Sequence, residues 1–184
     1  GSCDDFDLPD APARAWRDGS GNVHLAAKEA AGIYFNAFLL GSDTQPSVAK
    51  VEDEVTRMAR EILSVPDDGH LTLTNGGTES NFLAVLAARN WAREALPKVK
   101  TPTIVAPYSA HPSFDKAAHW MGMEVVRVPL GGDYRADIDA VAAAITDDTV
   151  MLVGSAPSWP HGLVDPIAEL GDLASERGLW LHVD

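Results

Sequence analysis

The chain has 184 residues, 46% of them hydrophobic, a single cysteine and a net charge of -13. That content is enough for a folded core and too apolar for a disordered chain, while the acidity leaves no basic stripe for nucleic-acid phosphates and repels anionic membranes. Cys3 alone supports neither an internal disulfide framework nor a cysteine-based zinc site, which fits a cytoplasmic protein with no metal centre. No secretory signal is visible. The most apolar stretch, Ala30 to Leu40, contains Asn36 and falls well short of the roughly 20 residues of a membrane span, so a buried helix is expected there and no transmembrane segment.

Residues 1 to about 22 are rich in Asp, Pro, Ala and Gly without a sustained period and read as an irregular arm. From Ser47, the positions Val48, Val51, Val55, Met58, Ala59 and Ile62 recur at helical spacing between Pro46 and Pro66, which predicts one amphipathic helix. Alternation follows. Leu71-Thr72-Leu73-Thr74 reads as a strand, Thr78 to about Leu96 as a helix, and Thr103 to Ala106 as a strand. Residues 112 to 121 read as a helix closed by Gly122, Val125 to Val128 as a strand, and 137 to 146 as an Ala-rich helix capped by Asp137. Val150 to Val153 is a continuous apolar strand. Asp165-Pro166 reads as a cap followed by proline in the first turn of a helix that Gly178 ends, and Leu179 to Val183 as the last strand.

Strands separated by helices predict an α/β fold with a mostly parallel sheet covered by helices on both faces, because parallel neighbours need crossover connections. Ligands of such sheets lie at the carboxyl ends of the strands. The segments to inspect are therefore Asn75 to Ser80, Pro107 to Ser113, Ser155 to Gly162, and Asp184. In Asn75-Gly76-Gly77-Thr78-Glu79-Ser80-Asn81, the glycines permit close backbone approach and the helix start offers free N–H groups, a geometry that favours an anion. An ordinary tight turn with Thr78 as N-cap accounts for it equally well. Neither the Rossmann nor the Walker A glycine spacing is present, which argues against dinucleotides and nucleoside triphosphates. His111 follows a strand where its ring can lie flat on an aromatic ligand, although a hydrogen-bonded loop role is commoner for a single histidine. Asp184 ends an apolar strand, where a carboxylate calls for a cationic or proton-bearing partner; a helix cap or an ion pair would also serve.

Taken together, Gly76-Gly77-Thr78-Glu79-Ser80, then Ser109-Ala110-His111, then Ser155 to Gly162, Asp165-Pro166 and His182-Val183-Asp184 resemble the pyridoxal-phosphate enzymes of aspartate aminotransferase fold type I. Within them the chain resembles the sphingosine-1-phosphate lyase group, relatives of the group II amino-acid decarboxylases. The segments that favour the lyase side are Pro160-His161-Gly162, with Asp165-Pro166 after it, and Ala106 to Ala118. The resemblance covers Pro46 to Asp184 and is loose before it. It implies that residues 1–45 form an arm and helical segment, and that 46–184 form the N-terminal part of the cofactor-binding large domain, with the remainder and the small domain outside this chain.

The resemblance also implies roles. Gly77 and Thr78 would hold the phosphate of pyridoxal 5'-phosphate, His111 would stack on its pyridine ring, and Asp184 would pair with the ring nitrogen. Ser155 and Ser158 are candidates to approach the ring hydroxyl, with neither preferred. His161 and His182 stay unassigned, structural roles being the favoured reading. Asn75, where the family more often has a smaller residue, and Gln45, in place of an aromatic before Pro46-Ser47, depart from the family pattern at the pocket rim. The family's Schiff-base lysine follows the aspartate by several tens of residues. Lys28, Lys50, Lys98, Lys100 and Lys116 all precede Asp184, so that lysine is expected from outside this chain and the 184 residues alone are expected to be inactive.

The implied function is carbon-carbon cleavage of a phosphorylated long-chain amino alcohol to an aldehyde and phosphoethanolamine. The alternatives are an amino-acid decarboxylase and, from another class, a binding or scaffold module that has lost the chemistry; a nicotinamide-dependent enzyme is a weaker competitor. The implied partners are a small-molecule amine, the remainder of the same protein and a second copy in a homodimer, with residues 34 to 45 of one copy contributing to the other's site.

Overall fold

The computed structural model describes residues 21–37 and 45–184. The chain divides into two compact units between Leu73 and Thr74. In the first, α1 spans Gly21–Ile33 and α2 spans Pro46–Ile62. The helix expected from Ser47 is present, with proline in its first turn, where its missing N–H costs nothing. After it, the Arg60 guanidinium donates to the carbonyls of Gly69, Pro66 (3.0 Å) and Asp67 (3.4 Å), folding the turn back on the last helical residues.

The buried helix expected at Ala30 to Leu40 is corrected. α1 stops at Ile33, and Ile33, Tyr34 and Phe35 are exposed; residues 38 to 40 lie outside the described ones. The apolar composition is as expected, but burial needs a covering layer, and no part of this unit among the described residues supplies one. The arm expected over residues 1 to 22 lies outside the described residues except for 21 and 22, which begin α1. The strand expected at Leu71 to Thr74 does not form. Its alternation suits a sheet, but a strand exists only by pairing, and no strand among the described residues pairs with it.

The second unit carries the α/β architecture. Its elements in chain order are α3 (Gly77–Ala95), β1 (Thr103–Pro107), α4 (Ser113–Met121), β2 (Glu124–Val128), α5 (Ile138–Ala144), β3 (Thr149–Gly154), α6 (Ile167–Arg177) and β4 (Trp180–Val183). The strands form a sheet in the order β2-β1-β3-β4, parallel throughout. Side-chain alternation sends Ile104 and Ala106 of β1 and Met151 and Val153 of β3 to a core built with α3 and α4 around Phe114. Val105 and Leu152 point the other way, into a second core with Val141 of α5 and Leu170 of α6. All six residues of β3 are buried, which is why that strand reads as a continuous apolar run without alternation.

Helix ends follow local chemistry. The Asp137 carboxylate caps α5 by accepting from the N–H groups of Asp139 and Ala140. Gly122 and Gly178 close α4 and α6 in the left-handed conformation, with φ of 68° and 63°. Asp165 is a correction. Pro166 takes the N-cap position of α6, and the Asp165 side chain is used elsewhere. Its carboxylate is buried, Oδ1 accepting from the Ala136 N–H and Oδ2 from the Ser155 N–H, each at 2.8 Å. The reason is that two buried amides from separate loops need acceptors, and a charged acceptor bonds them more strongly than a helix start would require. Asp165→Ala leaves both amides unpaired and is expected to destabilise the protein by about 3 kcal/mol. Chemical denaturation should show the lower midpoint.

Candidate active site

α3 begins on the glycine turn, with Gly76 as N-cap and no side chain capping the first N–H groups. The turn is held from outside. Thr74 Oγ1 donates to the Gly76 carbonyl (3.1 Å) and shares a hydrogen bond with Ser80 Oγ (2.7 Å). Glu79 Oε2 accepts from the backbone N–H of Asn75 (2.8 Å) and from its Nδ2 (3.2 Å). Asn75, the departure from the family pattern, thus ties down the one acid of the turn. A Cβ added at Gly76 or Gly77 would meet nothing within 4 Å, so the concave side is open. It faces a cavity of about 510 Å³ lined by the turn and by Phe82, Lys116 and Trp120. Trp120 meets the Phe82 ring edge-on at 5.2 Å, and Lys116 Nζ lies 5.3 Å from the Trp120 ring centre. Positive ends of peptide dipoles, a hydroxyl on Thr78 and a cation on Lys116 therefore surround one space, an arrangement suited to an anion.

Neither His111 nor Asp184 lines that cavity. His111 sits on the loop after β1, and the loop is held by Arg127 of β2. The Arg127 guanidinium donates to the carbonyls of Pro107 (2.8 Å), Ala110 (3.0 Å) and His111 (3.3 Å) and pairs with Asp115. Its fixed fork of donors suits three carbonyls and a carboxylate in a way that a lysine ammonium would not. His111 Nδ1 lies 2.9 Å from Ser113 Oγ and accepts from the Ser113 N–H at 3.1 Å. Ser113 Oγ in turn accepts from Asn81 Nδ2 (3.1 Å), and Asn81 Oδ1 meets His182 Nε2 at 3.0 Å. One hydrogen-bonded chain thereby joins the helix after the glycine turn, the histidine loop and the end of β4.

Asp184 follows β4 and is exposed. Its N–H donates to the Gly154 carbonyl (2.9 Å), and its own carbonyl accepts from Ala156 (2.7 Å), which extends the pairing with β3 one residue past the strands. The two ring-hydroxyl candidates differ. The Ser155 N–H is taken by Asp165, whereas the Ser158 hydroxyl is buried without a hydrogen-bond partner, as is that of Ser109. His161 packs against Tyr134 at 5.2 Å. His182 meets the Phe114 ring edge-on at 5.4 Å, and burial lowers its pKa below the usual 6.5, opposed by the nearby Asp184 carboxylate.

Sequence reasoning missed Asn81, Ser113 and Arg127. A signal existed for the first. Asn81 shares the buried face of α3 with Val85, Ala88 and Ala92, and a polar residue on a buried stripe needs a partner. Arg127 carried none, because an arginine on a short strand reads as a solvated charge.

An open parallel sheet with an uncapped glycine turn at a helix start, an imidazole loop after β1 and a carboxylate after β4 has the architecture of the cofactor-binding domain of an α/β enzyme. The pyridoxal-dependent decarboxylase conserved domain matches residues 24–184, and the chain belongs to that family. It is 39% identical over 180 residues to the sphingosine-1-phosphate lyase of Oryza sativa, covering 90% of this chain and 33% of the relative. It is 38% identical over 161 residues to the probable L-aspartate decarboxylase of Pyrococcus furiosus, covering 88% of this chain and 42% of the relative. The solved sphingosine-1-phosphate lyase of Burkholderia pseudomallei superimposes with a TM-score of 0.80 at 38% identity, covering 90% of this chain and 40% of that one. The chain thus spans about a third of the length of the first curated relatives it matches. The cofactor implied by the family is pyridoxal phosphate, and the uncapped N–H groups, the open side of Gly76 and Gly77 and the nearby Lys116 fit its phosphate. No helix among the described residues is long and apolar enough to cross a membrane.

Replacing Arg127 with methionine is expected to speed amide hydrogen exchange at Tyr108 to His111 by about tenfold, the effect of losing roughly one charged hydrogen bond's net contribution, while β3 stays protected. His182 predicts a pH dependence. Above pH 6.5 the ring is neutral folded or unfolded and its stabilising effect is complete. As the pH falls below 6.5 the unfolded chain takes up a proton that the folded chain resists, and stability declines until the lower folded value is passed. Denaturation midpoints at pH 7.5 and about pH 5.5 should therefore lie closer together in His182→Gln than in the parent protein.

Proposed function

We propose that the whole protein is a pyridoxal-phosphate-dependent lyase that cleaves a phosphorylated long-chain amino alcohol into an aldehyde and phosphoethanolamine. The observation that carries this reading is the likeness to sphingosine-1-phosphate lyases, at 39% identity to the rice protein and 38% to the solved bacterial one. When bound, the cofactor supplies an electron sink for the pair left when a bond breaks at the amine-bearing carbon. The chain's own residues have the work of binding and orienting. In this reading residues 46–184 are the N-terminal part of the cofactor-binding domain. The Gly77 and Thr78 N–H groups, the Thr78 hydroxyl and the positive end of α3 hold the phosphate. His111 lies against the ring face, and the Asp184 carboxylate keeps a proton on the ring nitrogen. The lysine that anchors the cofactor comes from outside these 184 residues, which alone are inactive. We further propose a cytoplasmic homodimer, a reading supported by the exposed apolar surface of Ile33 and Phe35.

A second reading, amino-acid decarboxylation, is supported by 38% identity to the probable L-aspartate decarboxylase. The same four residues would serve either reaction, because the bond that breaks is the one held perpendicular to the ring, and that choice lies with contacts to the rest of the substrate. The full-length protein should be yellow with the cofactor bound. Incubation with a phosphorylated sphingoid base is expected to release a long-chain aldehyde, and a panel of amino acids to release no carbon dioxide. Carbon dioxide without aldehyde would replace the first reading by the second, and a colourless protein after cofactor addition would sink both.

A further inference from the structure

We propose that Asn81, Ser113 and His182 are positioning residues that fix the orientation of the His111 ring, with Nδ1 as acceptor and the ring proton on Nε2. This rests on the reading of His111 as the residue lying against the cofactor ring. The directions of the hydrogen bonds carry the argument. A backbone N–H only donates, so the contact from Ser113 N at 3.1 Å makes His111 Nδ1 an acceptor and leaves the ring proton on Nε2. An amide nitrogen likewise only donates, so Asn81 Nδ2 occupies a lone pair of Ser113 Oγ and turns the hydroxyl proton toward His111 Nδ1, 2.9 Å away. An amide oxygen only accepts, so His182 Nε2 carries the proton that meets Asn81 Oδ1 at 3.0 Å. Every donor along the chain points toward His111. Reversal would require Asn81 to turn over, His182 to offer a lone pair and Ser113 to withdraw its hydroxyl from His111.

Burial gives the arrangement its rigidity. Asn81 and Ser113 are each 4% exposed, so neither can exchange its partner for water without opening the core. The position of His182 beside Phe114 favours the neutral ring there as well. The consequence falls on the cofactor. Two donors converging on Nδ1 hold the imidazole in one orientation, so its face is set for stacking on a flat aromatic ring.

The test uses full-length protein, with two readouts that need no turnover: the affinity for pyridoxal phosphate by titration, and the visible circular dichroism of the bound cofactor. Asn81→Asp keeps the size of the side chain and the acceptor for His182 but removes the donor to Ser113, and Ser113→Ala removes one oxygen. Each is expected to weaken cofactor binding about fivefold to tenfold and to reduce the dichroic band, both measured well below each variant's own apo melting temperature so that lost stability does not enter. Ser113→Thr, which restores the hydroxyl, should bring both readouts back to within about twofold. His111→Ala separates the two levels of the argument. Asn81→Asp and Ser113→Ala within twofold of the parent, beside a large change in His111→Ala, would overturn the positioning role and leave the ring-facing role intact. No change in His111→Ala would overturn both. Should Asn81→Asp fail to fold, Ser113→Ala with its threonine rescue decides alone.

Discussion

Parallel pairing of β1, β3 and β4 is the constraint from which the rest follows. Because these strands run the same way, their carboxyl ends lie on one edge of the sheet. Segments far apart in sequence, the loop after β1, the loop after β3 and Asp184, are thereby delivered to one side of the unit. Each parallel crossover also demands a helix, and α3, which precedes β1, is tied to the loop after that strand by the hydrogen bond from Asn81 to Ser113. The chemistry of the chain is concentrated there for a topological reason, and the two apolar cores hold the edge in place by gripping the strands from both faces.

What keeps the edge ordered is a small set of buried and half-buried polar groups. Loops at strand ends have backbone amides and carbonyls that no sheet satisfies, and here side chains supply the missing partners. Asp165 accepts from the loops around Ala136 and Ser155, and Arg127 donates to three carbonyls of the histidine loop. Asn81 and Ser113 join what those two leave apart. Each group is costly to bury alone and favourable once fully paired, so the loops cannot drift independently of one another.

The regular part of this arrangement was legible in the sequence. Three helix ends and two strands follow from short-range signals that need no tertiary context: Asp137 as a cap, Gly122 and Gly178 in the left-handed conformation, and β3 and β4 as short apolar runs. Where expectation failed, a long-range partner decided the outcome. Leu71 to Thr74 has the alternation of a strand and, among the described residues, no strand to pair with. Ala30 to Leu40 has the composition of a buried helix, and no layer among the described residues covers Ile33 to Phe35. Asp165 stands where a cap would stand, yet its carboxylate answers two amides that only the folded loops bring near. The candidate site divides along the same line. The glycine turn, His111 and Asp184 stood out by type and position, whereas the side chains that link them did not, since a spacing of 32 or 101 residues leaves no local trace.

In an acidic chain the attraction for an anion has to be local, and the glycine turn has the means for it. At a net charge of -13 the field of the whole molecule opposes a phosphate, but salt screens that field beyond about 10 Å, whereas the turn acts at contact. Uncapped N–H groups at the start of a helix as long as α3 offer fixed partial positive charge that no titration removes. Lys116, held over the Trp120 ring, adds a full charge to the same cavity. The remaining obstacle is Glu79 in the first helical turn. Two donors from Asn75 engage its carboxylate, spreading its charge into hydrogen bonds. The residue that departs from the family pattern at this rim therefore has a definite physical role: it fixes the carboxylate of Glu79 with two hydrogen bonds and so lowers the charge that the cavity would turn toward an anion.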